Sequence, residues 1–129
     1  MQQTLPKSII LRGYQSFSRI ISNGTSIRGA LVSAYVLIRT DGPEGVQIGF
    51  AVSKKRVRLA ASRNRIKRLM RESARKTIHG INAAAVLKRV GIGVVLSYHG
   101  TTAADVRRLA LRDIEPEWTA VHRRIMEMI

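Results

Sequence analysis

Between residues 31 and 53 the chain alternates. Val32, Ala34, Val36 and Ile38 place an apolar side chain at every even position while the odd positions are mixed. After the turn-forming cluster TDGPEG, residues 40–45, the apolar set Val46, Ile48, Phe50 and Val52 alternates with Gln47, Gly49, Ala51 and Ser53. A period of two is that of a half-buried strand. The pattern predicts two strands joined as an antiparallel hairpin, with the even positions facing the core. The opposite face would carry Ser33, Tyr35, Gln47, Gly49, Ala51 and Ser53, small or polar side chains around one aromatic ring, and is predicted to be open.

On either side of this region the period becomes helical. Tyr14, Phe17, Ile20 and Ile21 predict a short helix over about residues 14–22, with Asn23-Gly24 as a left-handed stop. Ile66, Leu69, Met70, Ser73, Ala74, Thr77 and Ile78 fall on one side at the i, i+3, i+4, i+7 spacing of an amphipathic helix. Residues 81–89 allow a further helical turn or two. Residues 90–98, VGIGVVLSY, are rich in β-branched side chains and predict a buried strand. Thr102 and Asp105 have capping-box spacing, and Pro116 suits the first turn of a final helix, about Pro116 to Met128. That helix would bury Trp118, Val121, His122, Ile125 and Ile129. The predicted order is α, β, β, a basic α, β, α, without repeats or linkers, in one domain spanning residues 1–129.

Composition adds a partner to this picture. There are 23 Lys and Arg against 8 Asp and Glu, a formal charge of +15 on a chain that is 45% hydrophobic, so the charge sits on a folded body that suits a polyanion. The chain has no cysteine, which removes disulfides, thiolate metal sites and cysteine nucleophiles. The apolar run near the N-terminus is too short for a signal peptide core, and no stretch is long enough to span a bilayer. A soluble, cytoplasmic protein with no membrane partner is expected.

Eleven of the 23 basic residues lie between Lys54 and Lys76, against Glu72 alone. On the predicted helix Asn64, Arg68, Arg71 and Arg75 form a row opposite the apolar face, flanked by Arg63, Arg65 and Lys67. An ordinary amphipathic helix also turns charge to water. Helices stabilised for their own sake, however, intersperse opposite charges four residues apart, and this one accepts like-charge repulsion. An external anion would relieve it. His79, His99 and His122 are far apart in sequence and have no acidic cluster or glycine-rich phosphate loop beside them, so neither protein catalysis nor a protein metal site is expected.

Residues 51–73, AVSKKRVRLAASRNRIKRLMRES, closely resemble the signature of the protein subunit of bacterial ribonuclease P. In that family a strand ends in Ser-Lys-Lys, and after a short connection come Arg-Asn-Arg-Ile-Lys-Arg and then Arg-Glu. Here these are Ser53 to Lys55, Arg63 to Arg68, and Arg71 with Glu72. The resemblance extends more loosely to Phe17, to Gly24-Thr25-Ser26 and to Tyr35. It implies an α/β sandwich, ribosomal-protein-like, in which a small, mostly antiparallel sheet carries a basic helix in a left-handed βαβ crossover. General chain-connection rules would have favoured a right-handed one.

The resemblance also implies a ribonucleoprotein endoribonuclease in which the RNA subunit cuts precursor tRNA with bound Mg2+, the protein having no catalytic side chains. A monomeric protein would hold the catalytic RNA through Arg63, Asn64, Arg65, Lys67, Arg68, Arg71 and Arg75. It would hold the 5′ leader through Phe17, Ile21, Tyr35, Ser53, Lys54 and Lys55. The chain departs from the family pattern in two ways: Ile21 stands where a second aromatic is common, and Ser97, Tyr98 and His99 replace basic residues after the last core strand. The segment from about residue 99 to 129 is also atypical. A non-catalytic structural RNA-binding protein, such as a ribosomal protein, is the alternative.

Overall fold

The computed structural model describes residue 5, residues 7–100 and residues 106–129. Its elements are α1 (Tyr14–Asn23), β1 (Thr25–Arg28), β2 (Val32–Arg39), β3 (Gly45–Val52), α2 (Ala60–Arg75), α3 (Ile78–Leu87), β4 (Gly91–Tyr98) and α4 (Leu111–Met128). The strands form one sheet in the order β1-β2-β4-β3, antiparallel at the first two junctions and parallel between β4 and β3. The basic helix α2 lies in the crossover between the parallel pair.

As the alternation requires, Val32, Ala34, Val36, Val46 and Ile48 are buried in the main core, and Ile38, Phe50 and Val52 pack against it. The predicted hairpin does not form. β4 is inserted between β2 and β3, so that Tyr35 pairs with Val95 and Val95 with Gly49. Alternation specifies which face a strand buries and leaves its neighbour open. Strands flanking a third lie about 10 Å apart, a gap that residues 40–44 can bridge. They cross the start of β4 closely: the Gly45 N–H donates to Val90 O at 3.0 Å, and a Cβ on Gly91 would lie 2.6 Å from Pro43 O.

Three further boundaries differ from expectation. β1 is a four-residue edge strand with no alternating burial, so it left no periodic signal. Gly24 is extended, at φ −81°, and a glycine is needed there because a Cβ would lie 2.5 Å from Ile20 O and 2.9 Å from Val36 O. The final helix starts at Leu111, before Pro116, because Ile114 extends the buried stripe upstream and Asp113 Oδ2 accepts the Ala110 N–H at 2.8 Å. The predicted Thr102–Asp105 cap lies outside the described residues.

α3 is a full ten-residue helix. It ends with the Val90 N–H on Ala85 O at 2.9 Å and the Arg89 N–H on Val86 O at 3.1 Å, a Schellman closure with Arg89 in the left-handed region at φ 58°.

Side-chain bonds fix α4 against the rest. Arg65 Nη2 donates to Leu109 O at 2.7 Å near the start of α2, and Trp118 Nε1 donates to Thr77 Oγ1 at 2.7 Å beyond its end. Contacts that advance together along both segments make α4 run beside α2 in the same direction. The Glu117 carboxylate accepts the N–H groups of Leu31 and Val32, both at 2.9 Å, and so clamps the β1–β2 turn. Among the described residues no helix is long and apolar enough to cross a membrane.

Candidate nucleic-acid interface

α2 buries Ile66, Met70, Ser73 and Ala74, and the remaining directions around its axis follow from about 100° per residue. Asn64, Arg68 and Arg75 point away from the core as a crest. Lys67 and Arg71 lie on the flank toward β3, and Arg65 on the flank toward α4. Asn64, Arg68 and Arg71 are exposed.

Three of the predicted RNA-contacting cations are engaged within the protein. Arg63 falls about 60° from Ile66, near the apolar side, and its Nη1 donates to Val57 O at 2.9 Å and Arg58 O at 2.7 Å. It braces the connection from β3 and lies nearer the apolar side than the flank on which the sequence pattern put it. Arg65 carries the bond to Leu109 O, and Arg75 Nε pairs with the Glu72 carboxylate at 2.6 Å. The bases in the motif therefore divide into anchors and an outward-facing set centred on Arg68 and Arg71.

The face opposite the main core is partly covered, in contrast to the open face expected. Side chains paired across adjacent strands point to one side, so this face has rows Leu37–Gly93–Gln47, Tyr35–Val95–Gly49 and Ser33–Ser97–Ala51. α1 rests on the first two rows. A Cβ on Gly93 would lie 2.6 Å from Ile20 Cδ1, and one on Gly49 would lie 2.7 Å from Phe17 Cε1. The two glycines let α1 sit close to the sheet. Leu11, Ile20 and Val95 form a small second core there, with Phe17, Tyr35, Leu37 and Ala51 packed around it.

The opening that remains is at the β3 edge. Residues 9–11 cover that edge as far as Ile48, where the Ile48 N–H donates to Ile9 O at 2.7 Å. Beside it lies a groove of about 160 Å³ lined by Ile10, Leu11, Phe17, Gly49, Phe50, Lys67 and Arg71. The Arg71 guanidinium stands over the Phe50 ring, 5.7 Å from its centroid. Rings and cations at one groove wall suit a nucleotide chain, whose bases stack and whose phosphates pair.

The predicted leader residues are not all brought together. Phe17 lines the groove. Tyr35 is half-buried two strands away in the same row, and Ile21, one turn beyond Phe17, is 42% exposed. Ser53, Lys54 and Lys55 are exposed beyond the end of β3, in a turn where Ser53 Oγ accepts the Lys55 N–H at 3.2 Å. Sequence reasoning missed Phe50, which alternation assigned wholly to the core, and Ile10 and Leu11. Recognising β3 as an edge strand was the signal required.

The histidines stay apart. His79 is exposed on α3, His122 packs edge-on against Trp118 with centroids 6.1 Å apart, and His99 carries the backbone carbonyl that accepts Arg56 Nη1 at 2.9 Å. Among the described residues no three His, Cys, Asp or Glu side chains converge as a metal ligand set. The groove's polar wall is cationic and fits an anion.

A small α/β protein that turns one arginine-lined helix outward beside an aromatic groove belongs to the class of RNA-holding proteins. Comparison makes this specific. Residues 5–112 match the model of the ribonuclease P family. The ribonuclease P protein component of Nitrosomonas eutropha is 33% identical over 89 residues, 67% of this chain and 74% of that protein. That of Chlorobium phaeobacteroides is 40% identical over 77 residues, 56% of this chain and 52% of its own length. In fold, the chain is similar to the Staphylococcus aureus RNase P protein, with a TM-score of 0.64, 20% identity and coverage of 91% and 94% of the two chains. The chain belongs to the ribonuclease P protein family, the protein component of a ribonucleoprotein endoribonuclease that works with an RNA subunit. The match favours this reading over the ribosomal-protein alternative.

Proposed function

We propose that this protein holds the catalytic RNA on the crest of α2 and the 5′ leader of precursor tRNA in the groove at the β3 edge, as a monomer within the cytoplasmic holoenzyme. The RNA performs the cleavage, and Mg2+ is bound on the RNA side, because the groove offers cations and apolar groups where a divalent ion needs oxygen ligands. Arg68 and Asn64 donate to phosphates of the folded RNA. Such contacts fit A-form helices, whose bases are out of reach in the narrow major groove. The leader passes between α1 and α2 with bases against Phe17 and Phe50 and phosphates near Lys67 and Arg71, and Tyr35, Ser53, Lys54 and Lys55 extend its path.

The observation that carries this reading is the placement of Lys67 and Arg71 on the groove side of α2 while Arg68 faces outward, so that one helix serves two strands. Stacking without base-edge contacts accommodates many leader sequences. The test is 5′ cleavage of a precursor tRNA at low Mg2+ by a bacterial ribonuclease P RNA with and without this protein. Restored cleavage supports the proposal; binding to the RNA without help to cleavage refutes it.

A further inference from the structure

The flank of α2 facing α4 also carries positive charge, and its arginines lie outside the motif. Arg107 and Arg108 are exposed just before Leu109, whose carbonyl is held by Arg65, and Arg112 is exposed in the first turn of α4. Arg65 and Arg68 are neighbours one turn apart, so the Arg65–Leu109 bond sets these three arginines beside the crest of α2.

Two of the acids nearest to them are engaged elsewhere, and Glu115, one turn from Arg112, makes no ion pair with it among the described residues. Asp113 accepts the Ala110 N–H and Glu117 the N–H groups of Leu31 and Val32. Among the described residues the one ion pair is Arg75–Glu72, so none of the three arginines is in one. Their position also opposes the local field, since a helix N-terminus disfavours cations and welcomes anions. Three unneutralised arginines at that end of α4 are poorly suited to stabilising the helix and well suited to an external polyanion.

The number of charges supports the same partner. With Arg63, Arg65 and Arg75 engaged internally, α2 offers Lys67, Arg68 and Arg71, and Lys67 and Arg71 line the leader groove. Little of the motif is then left for the catalytic RNA.

Resting on the reading of α2 given above, we propose that Arg107, Arg108 and Arg112 form a second phosphate-binding surface for the catalytic RNA, continuous with Arg68 and on the opposite flank of α2 from the leader groove. α2 is then a ridge between two RNA strands: single-stranded leader on the β3 side and folded RNA on the α4 side. The fixed contact between Arg65 and Leu109 holds the two flanks in register.

The test is the salt dependence of catalytic-RNA binding in the absence of substrate, for the full chain and three variants. Replacing Arg107, Arg108 and Arg112 together with Gln is expected to reduce the log–log salt slope by about 2 to 3, from roughly 0.7 to 0.9 per phosphate contact. The holoenzyme's ratio of affinities for leader-bearing and mature tRNA should stay unchanged. A triple variant of equal charge loss elsewhere, Arg28→Gln with Arg89→Gln and Arg124→Gln, should change the slope by less than one. An equal effect of the two triples would reduce the matter to net charge and overturn the proposal. So would a loss confined to tRNA binding. Arg68→Ala separates the two readings: if it weakens RNA binding and the Arg107/Arg108/Arg112 variant does not, the second surface fails while the crest of α2 stands; if neither matters, both fail.

Discussion

Arg63 and Arg68 belong to one basic motif, yet the structure gives them opposite work, and alanine substitution should separate them. The Arg63 guanidinium makes two bonds to main-chain carbonyls, at 2.9 Å to Val57 and 2.7 Å to Arg58. Bonds involving a charged group are worth about 1.5 to 3 kcal/mol each when shielded. One of these two is exposed, so Arg63→Ala is expected to cost about 1 to 2 kcal/mol in total. For a chain of 129 residues that is a fall in Tm of about 3 to 8 °C. Arg68 is exposed on the crest, so Arg68→Ala should leave stability within about 0.5 kcal/mol while weakening catalytic-RNA binding about five- to thirtyfold and flattening the salt slope by roughly 0.7 to 0.9. Thermal unfolding and RNA titration at several salt concentrations measure both quantities. An unchanged Tm for Arg63→Ala together with an RNA defect equal to that of Arg68→Ala would refute the division into anchors and contacts.

Other consequences can be measured independently. Gly49→Ala places a methyl directly against Phe17 and 3.2 Å from Leu11 Cδ2; the overpacking is expected to cost about 1 to 3 kcal/mol and, by lifting α1, to lower holoenzyme affinity for leader-bearing tRNA. Phe17→Ala should reduce that affinity while sparing mature tRNA, and equal losses for both would contradict leader contact. Arg89→Gly removes the left-handed strain at φ 58° without touching either RNA surface, so a gain of about 0.5 to 1 kcal/mol in unfolding free energy is expected with RNA binding nearly unchanged.

The sequence made the periodic elements and the RNA-binding class readable, because alternation and the Ile66, Met70 and Ala74 stripe are local properties. Strand order was not readable: nothing in β2 or β3 reveals that β4 separates them, since alternation reports which face a strand buries and not which strand lies beside it. The candidate site was half legible for the same reason. Charge density identified α2, but whether an arginine faces water or a carbonyl depends on elements distant in sequence. Arg65 is held by Leu109, 44 residues later, and Phe50 becomes a groove wall because β3 is the sheet's last strand. The glycines show the limit most clearly, for Gly49 reads only as part of an open face and Gly93 as part of a buried strand until α1 is seen resting on them.

The most direct test of the central claim, that the leader runs between α1 and α2, is crosslinking in the assembled holoenzyme from a precursor tRNA bearing a photoreactive nucleotide in its 5′ leader. Adducts at Phe17, Phe50, Lys67 or Arg71 are the predicted result. Adducts absent from these residues and concentrated on β1 or α4 would contradict it.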